Sequence, residues 1–172
     1  MRTLFLLRHA KSSWADPTLA DHDRPLAPRG RRAAKRIARY VASDGAIRPG
    51  LVLCSTATRA RDTLDALQPS LDDACDVQVV DEVYGADVHQ LIDRLRAIEG
   101  DVASVMIIGH NPALHALALE LTGDGAAAAL AQLRAKFPTG ALATLELAGS
   151  TWKGLAAGQA YLARLVLPRQ LS

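Results

Sequence analysis

Short runs of apolar, β-favouring residues recur along the chain, and the first four are each followed by a stretch with helical apolar spacing. Nearly uniform apolar runs of this length are typical of strands buried on both faces of a sheet. The pattern predicts six strands, at Thr3 to Leu7, Leu51 to Cys54, Val77 to Val80, Val105 to Ile108, Leu142 to Leu147 and Tyr161 to Leu167. It predicts helices at Gly30 to Ser43, Thr58 to Leu67, Val88 to Ile98, Ala113 to Leu121 and Ala126 to Ala135.

The order of these elements predicts an α/β fold of three layers, with a mostly parallel central sheet of about six strands and helices on both faces. The last two predicted strands are joined by AGSTWKGLAAGQ, which is too short and too rich in glycine for a crossover helix. We therefore expect an antiparallel C-terminal edge hairpin. A chain of 172 residues without a linker or repeat fits one domain, over residues 1–172.

Composition narrows the functional classes. No apolar run approaches the roughly 18 residues that a membrane span needs, and LFLLRHA lacks the flanking segments of a signal peptide, so we expect a cytoplasmic protein without a membrane partner. Cys54 and Cys75 are too few for a disulfide framework and have no zinc-ligand spacing, so we expect no metal and no other cofactor. The small net charge and the lack of a recognition motif argue against nucleic acid as a partner.

We expect a monomer, because no apolar helix face is left without a predicted neighbour.

Basic residues are dense in RGRRAAKRIAR, which spans Arg29 to Arg39 on a predicted amphipathic helix. Such a cluster forms either a solvated helix face or a dock for an acidic partner. The sequence leaves both readings open.

Polar side chains follow three predicted strands at the points where they end. Arg8 and His9 follow the first strand, His110 follows the fourth, and Ser55 and Arg59 follow the second. Because ligands bind at the carboxyl ends of strands in an open α/β sheet, we expect these groups to converge. Two arginines beside two histidines repel one another unless an anion lies between them, and a tetrahedral phosphoryl group fits that role. The sequence therefore predicts a phosphate pocket.

Several motifs in this sequence resemble those of the histidine phosphatase (phosphoglycerate-mutase-like) superfamily. Arg8-His9-Ala10 resembles its RHG signature, Ser55-x-x-x-Arg59-Ala60-x-x-Thr63 its SxxxRAxxT segment, and Gly109-His110-Asn111 its second histidine motif. The strings RHAKSSW, DHDRPLAPRG, GHNP and FPTGAL are most similar to the SixA-like phosphohistidine phosphatases. These motifs occur in order along most of the chain, which makes the resemblance specific, and it implies a phosphoglycerate-mutase-like fold.

The resemblance implies a metal-independent phosphatase in which His9 is the nucleophile and forms a covalent phosphohistidine intermediate. Arg8, Arg59 and His110 would stabilise the phosphoryl oxygens. The sequence does not reveal which backbone carbonyl orients the ring of His9.

The leaving group needs a proton unless it departs as a neutral species. In the superfamily an acidic residue after the third strand supplies it, and Glu82 in DEVYG lies at the matching position. A phosphohistidine substrate protonated on its second ring nitrogen releases neutral imidazole without an acid, so Glu82 is a candidate acid only.

Further residues are candidates for substrate contacts. Ser12 and Ser55 could donate to phosphate oxygens or cap turns, and Asn111 adjoins the second histidine. The resemblance places the segment that contains Asp23 and Arg24 at the border of the site. His22, His89 and His115 lack such partners in the sequence and are expected at the surface or in packing.

The most favoured function is removal of phosphate from phosphohistidine on a protein partner, such as a histidine-containing phosphotransfer domain or a phosphocarrier. The connections after the strands look short and predict an open mouth that suits such a partner. One alternative is a phosphatase of small phosphate esters or nucleotides, and another is a binding module that keeps the pocket without turnover. A cysteine-dependent mechanism conflicts with the spacing, because Ala60 occupies the position where such a loop needs arginine.

Overall fold

The computed structural model describes residues 1–172, and its helices and strands, apart from one short additional strand, agree with the predicted pattern to within a few residues. The strands are β1 Arg2–Arg8, β2 Leu51–Ser55, β3 Asp76–Val80, β4 Ser104–Gly109, β5 Thr122–Gly125, β6 Leu142–Leu147 and β7 Ala160–Val166. The α-helices are α1 Pro28–Ser43, α2 Thr58–Leu67, α3 Val88–Arg96, α4 Ala113–Leu121 and α5 Ala127–Ala135. Short 3-10 turns lie at Asp21–Asp23, Gln68–Ser70, Asp81–Val83 and Pro168–Gln170.

The seven strands form a single sheet in the order β3-β2-β4-β1-β6-β7-β5. Strands β1 to β4 pair in parallel, whereas β6 pairs antiparallel with both β1 and β7. The predicted mostly parallel α/β sheet and its antiparallel C-terminal hairpin are therefore confirmed.

The sheet separates two hydrophobic cores, because alternate residues of a strand point to opposite faces. In β1, Leu4 and Leu6 pack in a core of 27 buried residues that also takes its side chains from α3, α4 and α5. Phe5 and Leu7 pack in the opposite core of 14 buried residues, together with α1 and α2. This alternation explains the unbroken apolar runs of β1, β2 and β4, and it gives the three layers that the sequence predicts.

Strand β5 is the element that the hydrophobic pattern did not predict. Its sequence, TGDG, contains no apolar residue, and its parallel pairing with β7 depends on close backbone contact. A Cβ atom at Gly123 would lie 2.0 Å from the carbonyl oxygen of Gly158. The strand forms because glycine permits this approach, and it places a seventh strand outside the predicted hairpin.

None of the five α-helices combines the length and the hydrophobicity that a membrane-spanning segment needs.

Candidate active site

The polar groups predicted to converge lie at the carboxyl ends of β1, β2 and β4, which are neighbours in the sheet. Backbone hydrogen bonds continue there beyond the last paired residues of β1. The amide of His9 donates to the carbonyl of Gly109, and the amide of Gly140 donates to the carbonyls of both Arg8 and His9. These bonds fix the point where β1 delivers its two polar side chains.

His9 is held with one ring nitrogen occupied. Its Nδ1 lies 2.7 Å from the carbonyl oxygen of Ala10, an acceptor only, so Nδ1 carries the proton and donates. Nε2 is then the nitrogen with a free lone pair. Burial lowers the pKa of His9 from 6.5 to about 3, with the charges of His110, Arg59 and Arg8 adding to the effect. His9 is 5% exposed and is uncharged at neutral pH.

Thr63 holds the backbone beside His9. Its hydroxyl accepts from the amide of Ala10 at 3.1 Å and donates to the carbonyl of Arg59 at 2.8 Å. The buried Thr63 side chain on α2 therefore links Ala10, whose carbonyl orients His9, to Arg59, a candidate phosphate ligand.

His110 lies next to His9, with 5.1 Å between the ring centroids. Its Nε2 is 2.7 Å from the hydroxyl of Ser55, whose oxygen accepts a hydrogen bond from the amide of Ala57. Its Nδ1 is buried and has no partner within the protein. Burial and the charge of Arg59 lower the pKa of His110 from 6.5 to about 4, so both imidazoles are neutral at neutral pH.

Arg8 is fixed by the segment that precedes β6. Its guanidinium donates to the carbonyl of Phe137 at 3.1 Å, and the same carbonyl accepts from the side-chain amide of Asn111 at 2.7 Å. Burial and the charge of Arg59 lower the pKa of Arg8. Its Nε is buried and unpaired. Asn111, a candidate substrate contact, is thus engaged in holding the same carbonyl as Arg8.

Arg59 is bound by Asp21, a residue that the sequence did not single out. One terminal nitrogen donates to the backbone carbonyl of Asp21 at 2.7 Å, and the other donates to its carboxylate at 3.0 Å. The carboxylate also accepts from the hydroxyl of Tyr84 at 2.8 Å and from Arg24 at 3.1 Å. The bond from Tyr84, together with those from the two arginines, lowers the pKa of Asp21 to about 2.

Arg24 and Ser12 bind each other. The guanidinium of Arg24 donates to the Ser12 hydroxyl at 2.8 Å, and its carbon lies 3.6 Å from the centre of the exposed Trp14 ring. Arg24 is only 7% exposed and its other donors go to Asp21 and Ser13. These contacts tie the loop after β1 to the 3-10 turn at Asp21–Asp23. The role of Arg24 and Ser12 as substrate contacts stays a prediction.

Tyr84 forms an aromatic wall between two histidines. The centroid of its ring lies 5.5 Å from that of His110 and 4.7 Å from that of His22, and both pairs are arranged edge to face. His22 was expected at the surface or in packing, but its Nε2 lies 2.9 Å from the hydroxyl of Thr56. Asp23 is exposed and its carboxylate is 3.5 Å from Nδ1 of His22. His22 therefore belongs to the rim of the site.

Glu82 has its contacts with α3 and not with His9 or His110. Its carboxylate accepts from Arg94 on α3 at 2.7 Å, and it lines a hollow with Tyr84, Gln90 and Arg94 that includes neither His9 nor His110. The remaining histidines are elsewhere: His115 binds the carbonyl of Leu133 at 2.6 Å, and His89 is exposed on α3.

Cys54 is fully buried in β2, and burial raises its pKa to about 12. A thiol with this pKa is protonated at neutral pH and is a poor nucleophile. The structure thus agrees with the spacing argument against a cysteine-dependent mechanism.

Sequence reasoning located Arg8, His9, Arg59 and His110 but missed Asp21 and Tyr84. Asp21 is the first residue of DHDRPL, and its proximity to an arginine 38 positions later has no local signature. Thr63 was part of a recognised motif without an assigned contact. The assembled site places an uncharged imidazole beside two guanidiniums, an arrangement that can bind a tetrahedral oxyanion and present a nitrogen lone pair to it.

Comparison with known proteins agrees with this site. Residues 4–84, which include Arg8, His9 and Arg59, match the model of the Histidine phosphatase superfamily (branch 1). The structure resembles that of a proposed phosphohistidine phosphatase SixA from Nakamurella multipartitia, with a TM-score of 0.81 and 34% identity over 97% of this chain and 96% of that one.

Two further relatives cover nearly the whole chain. A proposed SixA from Agrobacterium tumefaciens has a TM-score of 0.79 and 34% identity over 97% of this chain and 99% of that one. The uncharacterized protein Rv1276c of Mycobacterium tuberculosis is 38% identical over 170 residues, which are 95% of this chain and 100% of the relative.

Proposed function

This chain belongs to the histidine phosphatase superfamily, and from that premise we propose that it removes phosphate from phosphohistidine on a protein partner, with His9 as the nucleophile. The observation that carries the proposal is the hydrogen bond between Nδ1 of His9 and the carbonyl of Ala10, which leaves Nε2 with its lone pair. Similarity to the two proposed SixA phosphatases supports the substrate class.

In the first step, Nε2 of His9 attacks the phosphorus atom in line, forming an N–P bond as the bond to the substrate imidazole breaks. A substrate imidazole that carries a proton on its other nitrogen leaves as a neutral ring, so no protein acid is needed. In the second step water attacks the phosphorus of phospho-His9, which yields inorganic phosphate and restores the neutral imidazole. The lowered pKa of His9, about 3, keeps the nucleophile unprotonated at neutral pH.

The phosphoryl oxygens are stabilised by Arg8, Arg59 and His110. Arg8 has a buried Nε–H without a protein acceptor, and Arg59 uses only two of its donors on Asp21. When Ser55 donates its hydroxyl proton to Nε2 of His110, Nδ1 of that ring carries a proton that a phosphate oxygen can accept. Each of these groups supplies a fixed donor, and removal of one should lower the rate by roughly 100-fold.

Glu82 is proposed to have no part in phosphohistidine hydrolysis, because its carboxylate is paired with Arg94 at 2.7 Å. Phosphate esters, which need an acid for the leaving alkoxide, should then be poor substrates. A Glu82→Gln variant should keep full activity on phosphohistidine. Loss of that activity would instead favour the acid role and a function on esters or nucleotides.

The decisive experiment measures phosphate release from a phosphohistidine peptide by the wild type and by His9→Ala. We expect release only by the wild type, and an acid-labile, ³²P-labelled intermediate in rapidly quenched wild-type samples. The exposed His89→Ala variant is the matched control and should behave as the wild type. Equal release by the wild type and His9→Ala would refute the mechanism, and binding without release by the wild type would indicate a phosphoprotein-binding module.

A further inference from the structure

A cavity of about 270 Å³ lies outside the candidate active site, between α1, the segment before β6 and the C-terminal 3-10 turn. No acidic residue lines it, and five cations do: Lys11, Arg29, Arg36, Lys136 and Arg169. The whole chain has nearly balanced charges, with 20 Lys and Arg against 18 Asp and Glu. A quarter of the basic residues therefore surround one cavity without a compensating carboxylate.

These five cations have no partner within the protein. None of them forms a salt bridge, although eight ion pairs occur elsewhere in the chain. All are exposed except Arg36, which is half-buried. Unneutralised charges of one sign in a concave surface concentrate the positive field and attract anions.

The same helix shows the opposite arrangement on another face. Arg31 and Lys35 of α1 line a different hollow together with Asp62 and Asp65 of α2, so their charges are opposed by carboxylates. Arg29 and Arg36, seven positions apart, lie two helical turns apart on one face and line the basic cavity. The basic cluster of α1 is thus divided between a hollow that also contains carboxylates and a cavity that contains none.

The cavity adjoins the candidate active site through shared backbone. Lys11 is two residues after His9, and its carbonyl accepts from the amide of Ala27 just before α1. On the other side, Pro138 and Thr139 follow Phe137, whose carbonyl holds Arg8. Two backbone segments of the candidate active site therefore continue into the lining of this cavity.

We propose that the basic cavity binds an acidic segment of the phosphoprotein substrate, an inference that rests on the proposed function. The cations come from four separate segments, which suits several carboxylates better than a single phosphate. The half-buried Ala33 and Pro138 lie among them and can contact the aliphatic parts of a polypeptide. Recognition of acidic motifs by clusters of basic side chains is a common mode of peptide binding. The cavity determines which phosphohistidine protein binds, whereas the residues at the carboxyl ends of the strands carry out the phosphoryl transfer.

The test uses two phosphohistidine peptides of the same length, one with Asp and Glu flanking the phosphohistidine and one with Asn and Gln at those positions. Free phosphohistidine is the third substrate. The variant Arg29→Glu/Arg169→Glu changes two exposed cavity residues, and Arg32→Glu/Lys153→Glu makes the same change of net charge outside the cavity. Circular dichroism and thermal unfolding check that both variants fold.

We expect the cavity variant to raise KM for the acidic peptide by roughly 10-fold with kcat unchanged, because exposed ion pairs each contribute modestly. The neutral peptide and free phosphohistidine should be affected less than about 2-fold, and so should every substrate with the control variant. Raising the salt from about 0.05 M to 0.5 M should remove the preference of the wild type for the acidic peptide.

Several outcomes overturn the inference: an unchanged KM for the acidic peptide, equal losses for the acidic and neutral peptides, or equal losses in both double variants. Tighter binding of tripolyphosphate or a short oligonucleotide than of the acidic peptide would also overturn it. If the wild type hydrolyses no phosphohistidine substrate, the proposed function fails instead. Binding of the unphosphorylated acidic peptide to the wild type and the cavity variant, measured by calorimetry, then decides the docking role by itself.

Discussion

Asp21 binds Arg59 at two points, through its backbone carbonyl at 2.7 Å and through its carboxylate at 3.0 Å. The same carboxylate accepts from Tyr84, whose ring meets that of His110. A single acidic residue on a short 3-10 turn therefore orients a candidate phosphate ligand and the aromatic wall of the site. Asp21 is inferred to act as a positioning residue, because it holds the guanidinium of Arg59, the proposed phosphate ligand, and does not bind phosphate itself.

Replacement of Asp21 by asparagine should lower kcat/KM for phosphohistidine by about 10-fold, since a charge-assisted bond to Arg59 becomes a weaker neutral one. Asp21→Glu should restore part of the loss. Steady-state kinetics checks this, and Asp73→Asn, at an exposed carboxylate outside the site, is the control that should change little. A full-rate Asp21→Asn enzyme would show that Arg59 needs no such support.

Stability should depend on pH through His9 and His110, whose pKa values are lowered from 6.5 to about 3 and about 4. Below pH 6.5 the unfolded chain takes up protons at these histidines before the folded chain does, so the stability that they contribute is lost as the pH falls. Each histidine changes the free energy of unfolding by at most about 1.4 kcal/mol per pH unit. Urea unfolding between pH 7 and pH 5 measures the slope, which His9→Asn should reduce.

Activity should persist well below pH 6.5, because the nucleophile stays neutral until the pH approaches the pKa of His9, about 3. A kcat/KM profile on free phosphohistidine, corrected for its spontaneous hydrolysis, tests this. An acid limb centred near pH 6.5 would mean that the imidazole titrates as an exposed one.

Thr63→Val should destabilise the fold by about 1 to 3 kcal/mol, because it leaves the amide of Ala10 buried without an acceptor. Thr63→Ser retains a hydroxyl and should cost much less. Denaturant unfolding provides the free energies. If valine and serine have the same effect, the methyl packing and not the hydrogen bond is what matters at this position.

Gly30→Ala should be strongly destabilising, because a Cβ there would lie 2.0 Å from the carbonyl oxygen of Lys11. That contact seats the first turn of α1 against the loop after β1, so neither backbone can yield easily. Gly45→Ala is the matched control, with no atom within 4 Å of the added carbon, and should change stability little. Thermal unfolding of the two variants compares them directly; similar melting temperatures would disprove the close approach.

The local sequence determined the layers of this protein and the edge at which its chemistry is placed. Apolar runs such as VMIIG predict strands covered on both faces, and parallel strands bring their carboxyl ends to one edge, so Arg8, His9 and His110 could be placed together in advance. Strand β5 escaped prediction because TGDG pairs through backbone contacts that glycine allows, and such contacts leave no hydrophobic signal.

Only the tertiary structure decided which groups support the site and where charge is left unbalanced. The carbonyl of Ala10, the hydroxyl of Thr63 and the carboxylate of Asp21 act on residues brought close by the fold, and no periodicity records these contacts. The basic cluster of α1 likewise reads as one uniform run in the sequence. Packing against α2 places carboxylates beside one of its faces and none beside the other, because the field at a surface depends on all nearby segments and not on one helix alone.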